Sequence, residues 1–237
     1  MTSHLVALCF DAIDPGRLSR FWAGVLDRKI ADDGLSLLSS DSSGFSIEFQ
    51  LTHEQKVGPN QMHLHLTSTS LVDQQSTVAR ALALGGRHLD IGQSPEEEHV
   101  VLADPEGNEF CVIEPGNTYL ADCGFLAEVA CDGSREVGYF WREALGWPLV
   151  WDQDQETAIQ SPIGGTKIAW GGPPVAPKTG KNRLHFDLAP PAHAGQQGEV
   201  DRFVALGATR FDIGQGGISW VVMADPAGNE FCVLTPR

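Results

Sequence analysis

The chain contains no run of about 18 apolar residues, the length a helix needs to cross a bilayer, so no membrane span is expected. Its opening Met1-Thr2-Ser3-His4-Leu5 lacks the positive and apolar regions of a secretory signal. Cysteine is sparse: Cys9, Cys111, Cys123, Cys131 and Cys232 are odd in number, widely spaced and include no CxxC pair. That argues against a disulfide framework and for reduced thiols in a cytoplasmic protein. Basic residues are outnumbered, 16 against 31 acidic, for a formal net charge of −15. Such a surface repels phosphate backbones and anionic lipid heads, so neither nucleic acid nor membrane is an expected partner. A local cluster, Lys178, Lys181 and Arg183, could still attract a small anion. Arg183 by itself reads as one half of a surface salt bridge. No nucleophile elbow, phosphate loop or dinucleotide fingerprint occurs. Polar low-complexity tracts are also missing, and hydrophobic residues make up 42%, as in a chain able to bury a core.

What is present is a repeat. Asp104-Pro-Glu-Gly-Asn-Glu-Phe-Cys-Val-Ile-Glu-Pro115 matches Asp225-Pro-Ala-Gly-Asn-Glu-Phe-Cys-Val-Leu-Thr-Pro236 at nine of twelve positions, too many for chance in an irregular loop. Phe21-Trp22 recurs as Phe140-Trp141, Leu84-Gly85 as Leu206-Gly207, Asp90-Ile91-Gly92-Gln93 as Asp212-Ile213-Gly214-Gln215, and His63 as His185. The spacing drifts by a few residues, as single-residue loop insertions would produce. The Pro115-Gly116-Asn117 turn is the natural boundary, giving domains 1–117 and 118–237.

Each copy reads as two passes of strand, helix and strands. In copy one, Leu5 to Phe10 is an apolar strand, and Asp14-Pro15 is an N-cap with proline at the first helical position. Leu18, Phe21, Trp22, Val25 and Leu26 follow at helical spacing. Stretches 35–38 and 45–51 read as strands. The second pass holds a strand at Met62 to Leu66, a helix carrying Val78, Ala81, Leu82 and Leu84, and a hairpin about Asp104-Pro-Glu-Gly-Asn. Copy two repeats this order from Leu126, with helices carrying Val137, Phe140, Trp141, Ala144 and Leu145, and later Val200, Phe203, Val204 and Leu206.

The Phe-Trp helices, the segment Lys181-Asn-Arg-Leu-His-Phe-Asp-Leu188 and both Asp-Pro-x-Gly-Asn-Glu-Phe-Cys-Val hairpins resemble the glyoxalase-like, bleomycin-resistance branch of the vicinal-oxygen-chelate superfamily in its tandem form. The resemblance spans nearly the whole chain. It implies an α+β fold of tandem glyoxalase-like domains, each a pair of βαβββ modules forming a curved mixed sheet, or cup. Two modules make one cup, so two cups are expected. Single-copy relatives commonly dimerise so that two modules from different chains complete a site. A fused pair can make that contact inside one chain, so the expected state is a monomer, with a homodimer optional. The superfamily hosts isomerases, lyases, dioxygenases, thiol transferases and drug-binding proteins, so the resemblance names no reaction.

It also implies metal ligands, His or Gln and Glu, on first and last strands of the modules. Carried onto this chain, the first-strand positions fall near Ala7 and Leu126, neither of which binds metal. His63 and His185 occupy the competent second-pass positions, while Cys111 and Cys232 stand where the family has Glu. The remaining position lies near Glu48 or Gln50 in copy one and near Ala169 or Gly171 in copy two. Neither set is complete. His63-x-His65 shares one strand face and, with Glu48, would make a two-His, one-carboxylate set; His185-x-Asp187 is a second version. Cys111 and Cys232, in apolar strands, read first as small core hydrophobes. Trp151, Trp170 and Trp220 lie on or beside strands and could stack on a flat ligand, and His99 stands where copy two has Trp220.

The leading expectation is a cytoplasmic protein that binds a small molecule through His63, Gln50, Trp170, His185, Asp187 and Trp220. It would sequester its ligand or act without a resident cofactor. The alternative is a divalent-metal lyase or isomerase using His63, His65 and Glu48, with His99 a further catalytic candidate. A third reading is a regulatory, protein-binding module with vestigial cups.

Overall fold

The computed structural model describes residues 2–39, 44–94, 96–175, 177–178, 180–212, 214 and 217–236. Ile213 and Gln215 of the repeated Asp-Ile-Gly-Gln lie outside them. Copy one runs β1 (His4–Ala12), α1 (Pro15–Leu26), β2 (Ser36–Leu37), β3 (Ser46–Leu51), β4 (Met62–Leu66), α2 (Leu71–Ala83), β5 (Arg87–His88), β6 (Val100–Ala103) and β7 (Glu109–Val112). Copy two runs β8 (Leu126–Cys131), α3 (Arg135–Leu145), β9 (Leu149–Gln153), β10 (Glu156–Gln160), β11 (Lys167–Trp170), β12 (Leu184–Ala189), α4 (Gln196–Ala205), β13 (Thr209–Arg210), β14 (Val221–Ala224) and β15 (Glu230–Val233). The α+β class and the duplicated order expected above are both present. No described helix is long and apolar enough to cross a membrane.

Local chemistry sets the elements. The Asp14 side chain accepts the Arg17 amide and starts α1, with Pro15 in its first turn. In each hairpin a buried aspartate organises the turn. Asp104 accepts the amides of Glu106 and Asn108, and Asp225 those of Ala227 and Asn229. Gly107 (φ 90°) and Gly228 (φ 87°) supply the left-handed exit that a side chain would strain. The second carboxylate oxygen of each aspartate takes the indole N–H of the first helix, Trp22 Nε1 to Asp104 and Trp141 Nε1 to Asp225, both at 3.1 Å. The two strongest repeated motifs, Phe-Trp and Asp-Pro-x-Gly-Asn, are therefore one structural contact.

The strands form two mixed sheets. The first has the order β13-β14-β15-β12-β1-β3-β2, and the second β5-β6-β7-β4-β8-β11-β10-β9. Each sheet thus joins one module of copy one to one module of copy two, through the antiparallel seams β1–β12 and β4–β8. A cup completed by modules of different copies is the arrangement that two separate chains would make on dimerising. The aromatic core instead follows the copies. Trp22 touches Phe10 of the first sheet and Phe110 of the second. Trp141 touches Phe186 and Phe231 of the first sheet and Trp170 of the second. Each copy owns an aromatic cluster within one continuous hydrophobic core, and no copy owns a cup.

A polar belt ties the copies together. Lys181 pairs with Asp11 and Arg183 with Glu106 of the other copy's hairpin, while Lys178 pairs with Glu230 inside copy two. The basic cluster therefore carries its own counter-charges and is not a free anion site. The Arg183–Glu106 side chains are each 9% exposed, so this is a buried inter-copy ion pair and not the surface bridge expected from sequence.

Candidate functional site

Strand alternation decides which residues face each cup. On β4, Met62, Leu64 and Leu66 join the core, which turns His63 and His65 to the concave side. On β8, Leu126, Val129 and Cys131 join the core, and Glu128 and Ala130 line the cup. The β4–β8 register sets Glu128 directly opposite His65. Glu128 was not among the expected site residues. The seams show why: β1 carries a register irregularity between Leu5 and Ala7 opposite β12, and β8 one beside Leu126 opposite β4. Ala7 pairs with Asp187 just as Glu128 pairs with His65, so Leu126 corresponds to Leu5 and Glu128 to Ala7. Alignment through the Phe-Trp helices misplaces that position by two residues. A lone charge inside the apolar strand Leu-Ala-Glu-Val-Ala-Cys was the available signal.

In the second cup, His63 Nε2 and His65 Nε2 lie 2.9 Å apart. His65 Nδ1 is 2.6 Å from Glu128 Oε2, and the Tyr119 hydroxyl donates to Glu128 Oε1 at 2.8 Å. Burial and the neighbouring charge of His65 lower the His63 pKa to about 4. Burial also works against charge on His65, but hydrogen bonds to Cys111 and Glu128 outweigh it and raise His65 to about 9. Burial disfavours the Glu128 carboxylate, yet its bonds from His65 and Tyr119 prevail and lower its pKa. At neutral pH the cup thus holds one imidazolium between a carboxylate and a neutral imidazole. His99 is near enough to disfavour charge on His63. Above the row is a cavity of about 340 Å³, walled by His63, His65, Tyr119, Glu128 and Trp151 among others. Tyr119, from the linker between copies, meets Trp151 edge-on at 5.4 Å. Trp151 Nε1 has no hydrogen-bond partner among the described residues. Tyr119 lies outside the repeat, so no internal comparison pointed to it.

The donors also fit a divalent metal. Ligand atoms of His63, His65 and Cys111 lie within 4.8 Å of one another. Two nitrogens on one tetrahedral zinc stand roughly 3.3 Å apart, so the imidazoles need only a small opening. Glu128 on the far nitrogen of His65 is the orientation that metal-bound histidines commonly show. Glu48 does not belong to this set. It lies on β3 of the first sheet, opposite Cys9, because the two copies share the cups. The expected His63, His65, Glu48 triad is therefore not assembled.

The first cup gathers His185, Asp187, Cys9 and Cys232 on its floor. Gln50, His185, Trp220 and Cys232 wall a cavity of about 210 Å³. Trp170 borders the second cavity beside Ala169 but is only 1% exposed, because its ring stacks on Trp141 at 6.4 Å in the core.

The fold matches known structures along its whole length. Glyoxalase I from Zea mays shares 14% identity over 99% of this chain and 92% of that one, with a TM-score of 0.64. A putative dioxygenase from Bacillus subtilis shares 13% over 100% and 86%, with a TM-score of 0.63. At these identities the likeness is one of fold, and it extends to the tandem plan because both chains are nearly covered. Among curated protein sequences none matches. The sequence model of the glyoxalase-like domain matches twice, at residues 7–113 and 127–234, and the chain belongs to that family.

Proposed function

We propose that this protein binds a small molecule in the second cup, where His63 and His65 act as a proton-exchanging pair. The observation that carries this is the 2.9 Å approach of the two Nε2 atoms beside the cavity, with Glu128 holding the far nitrogen of His65. An imidazolium next to a neutral imidazole offers a donor and an acceptor at one place. His65 would bind a carbonyl or carboxylate oxygen and supply a proton to it. His63 would accept a proton from an adjacent atom. That is chemistry of the isomerase or lyase type, and without turnover the same pair sequesters an oxygen-bearing ligand. Trp151 and Tyr119 supply an aromatic wall for its apolar part.

A second reading is favoured by the convergence of His63, His65 and Cys111. These three would hold a divalent ion, which when bound supplies a Lewis acid that polarises a substrate oxygen. The test is metal analysis of protein purified without chelator, together with thermal-shift screening of small carbonyl and carboxylate compounds. Stabilisation of the wild type that is lost in H65Q and E128Q supports the site. Equal stabilisation of all three proteins refutes it. Stoichiometric metal that disappears in a His63→Ala, His65→Ala double variant selects the second reading over the first.

A further inference from the structure

The two cups of this chain carry different ligand-forming side chains. In the second, His65 and Lys167 flank Glu128 on neighbouring strands. In the first, the matching row runs Cys232, Asp187, Ala7 and Ser46 across β15, β12, β1 and β3, and the adjoining row includes His185, Cys9 and Glu48. Cys232 matches Cys111 of the second cup, Asp187 stands in place of His65, Ala7 in place of Glu128 and Ser46 in place of Lys167, while the adjoining row adds the thiol of Cys9.

The arrangement is tight. Ligand atoms of Cys9, His185 and Asp187 lie within 4.8 Å of one another, and all three residues are buried. The thiols of Cys9 and Cys232 both hydrogen-bond Asp187. His185 Nδ1 has no hydrogen-bond partner among the described residues, although the side chain is only 6% exposed. Its other nitrogen, Nε2, faces Asp187 Oδ1 at 3.6 Å, and buried polar atoms are normally satisfied, so the unpaired Nδ1 leaves this imidazole short of a partner. His185 and Cys232 also wall the first cavity, which gives the cluster an opening and room for an exogenous ligand.

We infer that the first cup is a separate binding site for a thiophilic divalent cation, held by Cys9, His185 and Asp187, with Cys232 orienting the carboxylate of Asp187. One thiolate, one imidazole and one carboxylate suit zinc or a softer ion over magnesium or calcium, which prefer all-oxygen sets. On binding, the Cys9 S–H bond breaks, its proton leaves to solvent and a sulfur–metal bond forms in its place. The Asp187 oxygen that took the Cys9 proton is then free to face the ion, and the Cys232 thiol keeps the carboxylate in position. None of these residues comes from the second cup, so the inference does not depend on the function proposed there.

The test uses the full chain, reduced and stripped with chelator, titrated with cobalt(II). The expected result is a thiolate-to-cobalt charge-transfer band that saturates at one equivalent. C9S should remove the band. C232S should retain it with about 10–100-fold weaker affinity, as loss of an outer hydrogen-bond partner commonly produces. D187N, which preserves shape, provides an independent variant should C9S fail to match the wild-type circular dichroism, and it should weaken binding at least as much as C232S. A charge-transfer band that survives in D187N at unchanged affinity, or that is lost in C111S and retained in C9S, would overturn the inference. So would a titration with no thiolate band at all.

Discussion

The 2.9 Å contact between His63 and His65 is the feature of the site most sensitive to pH. Unfolded, both imidazoles titrate near 6.5. The folded His65 value of about 9 lies above that, so its stabilising contribution is complete below about pH 6.5 and is lost as pH rises through 9. The folded His63 value of about 4 lies below it, so its contribution is present above about pH 6.5 and is lost as pH falls through 4. The pair therefore supports the fold best near pH 6.5. An NMR titration of the imidazole C–H signals should show one midpoint near 4 and another near 9. Two midpoints near 6.5 would mean that the contact does not persist in solution. Glu128→Gln removes the opposing charge and should lower the His65 midpoint by about one unit or more. His63 and His65 were legible in the sequence because two histidines at i and i+2 share a strand face. Their acidic partner was not, because strand register and irregularity, which a linear alignment does not contain, place Glu128 opposite His65.

At the scale of elements, the hairpin aspartates are the natural point of failure. Asp104→Ala would strand the Trp22 indole N–H and the amides of Glu106 and Asn108, at about 1–3 kcal/mol for each donor left buried and unpaired. Asp225→Ala should behave alike, since its contacts repeat. Trp22→Phe keeps most of the ring and should cost about 1 kcal/mol for the lost bond, beyond its packing change. Urea unfolding measures all three. Equal stability of D104A and wild type would show that the motif is not structural. On α3, a β-carbon at Gly138 would stand 2.0 Å from Thr157 Oγ1 and 2.6 Å from Thr157 Cβ. Gly138→Ala should therefore destabilise by about 1–3 kcal/mol despite the better helix propensity of alanine. Helices and hairpins were readable in advance because their signals are local: a cap, a 3.6-residue period, or a glycine three places before a phenylalanine. The packing of Gly138 against β10 was not, since the partner is 19 residues away and sits on a strand whose face the sequence leaves open.

For the whole molecule, the division of labour between cores and cups makes a sharp prediction. Residues 1–117 produced alone would keep the Trp22–Phe110 core but leave β1 and β4 as unpaired edges, since β12 and β8 are supplied by the other copy. Exposed edges of this kind recruit a second chain. The half-chain should therefore form a dimer by light scattering, with the Glu128–His65 contact missing. A stable monomer of the half-chain would contradict the shared-sheet architecture. The full chain satisfies both seams internally at high effective concentration and should be monomeric in the same measurement.

The duplication, the α+β order of four strand–helix–strand units, the helix caps, the glycine turns and the turning of both histidines to one strand face are all written in the linear chain. Each of these follows from neighbours within a few residues, or from comparing one half of the chain with the other. Which modules share a sheet, and with that which side chains meet, follows from long-range strand pairing. Crossing the modules put Glu48 and His63 in different sheets. It also brought Glu128 to His65, Cys9 to His185 and Ala7 to Asp187. The physical reason is that a βαβββ module has one edge that can pair with any equivalent edge. The local sequence specifies that edge equally well for a partner in its own copy or in the other, and the choice rests on long-range geometry of the connected chain.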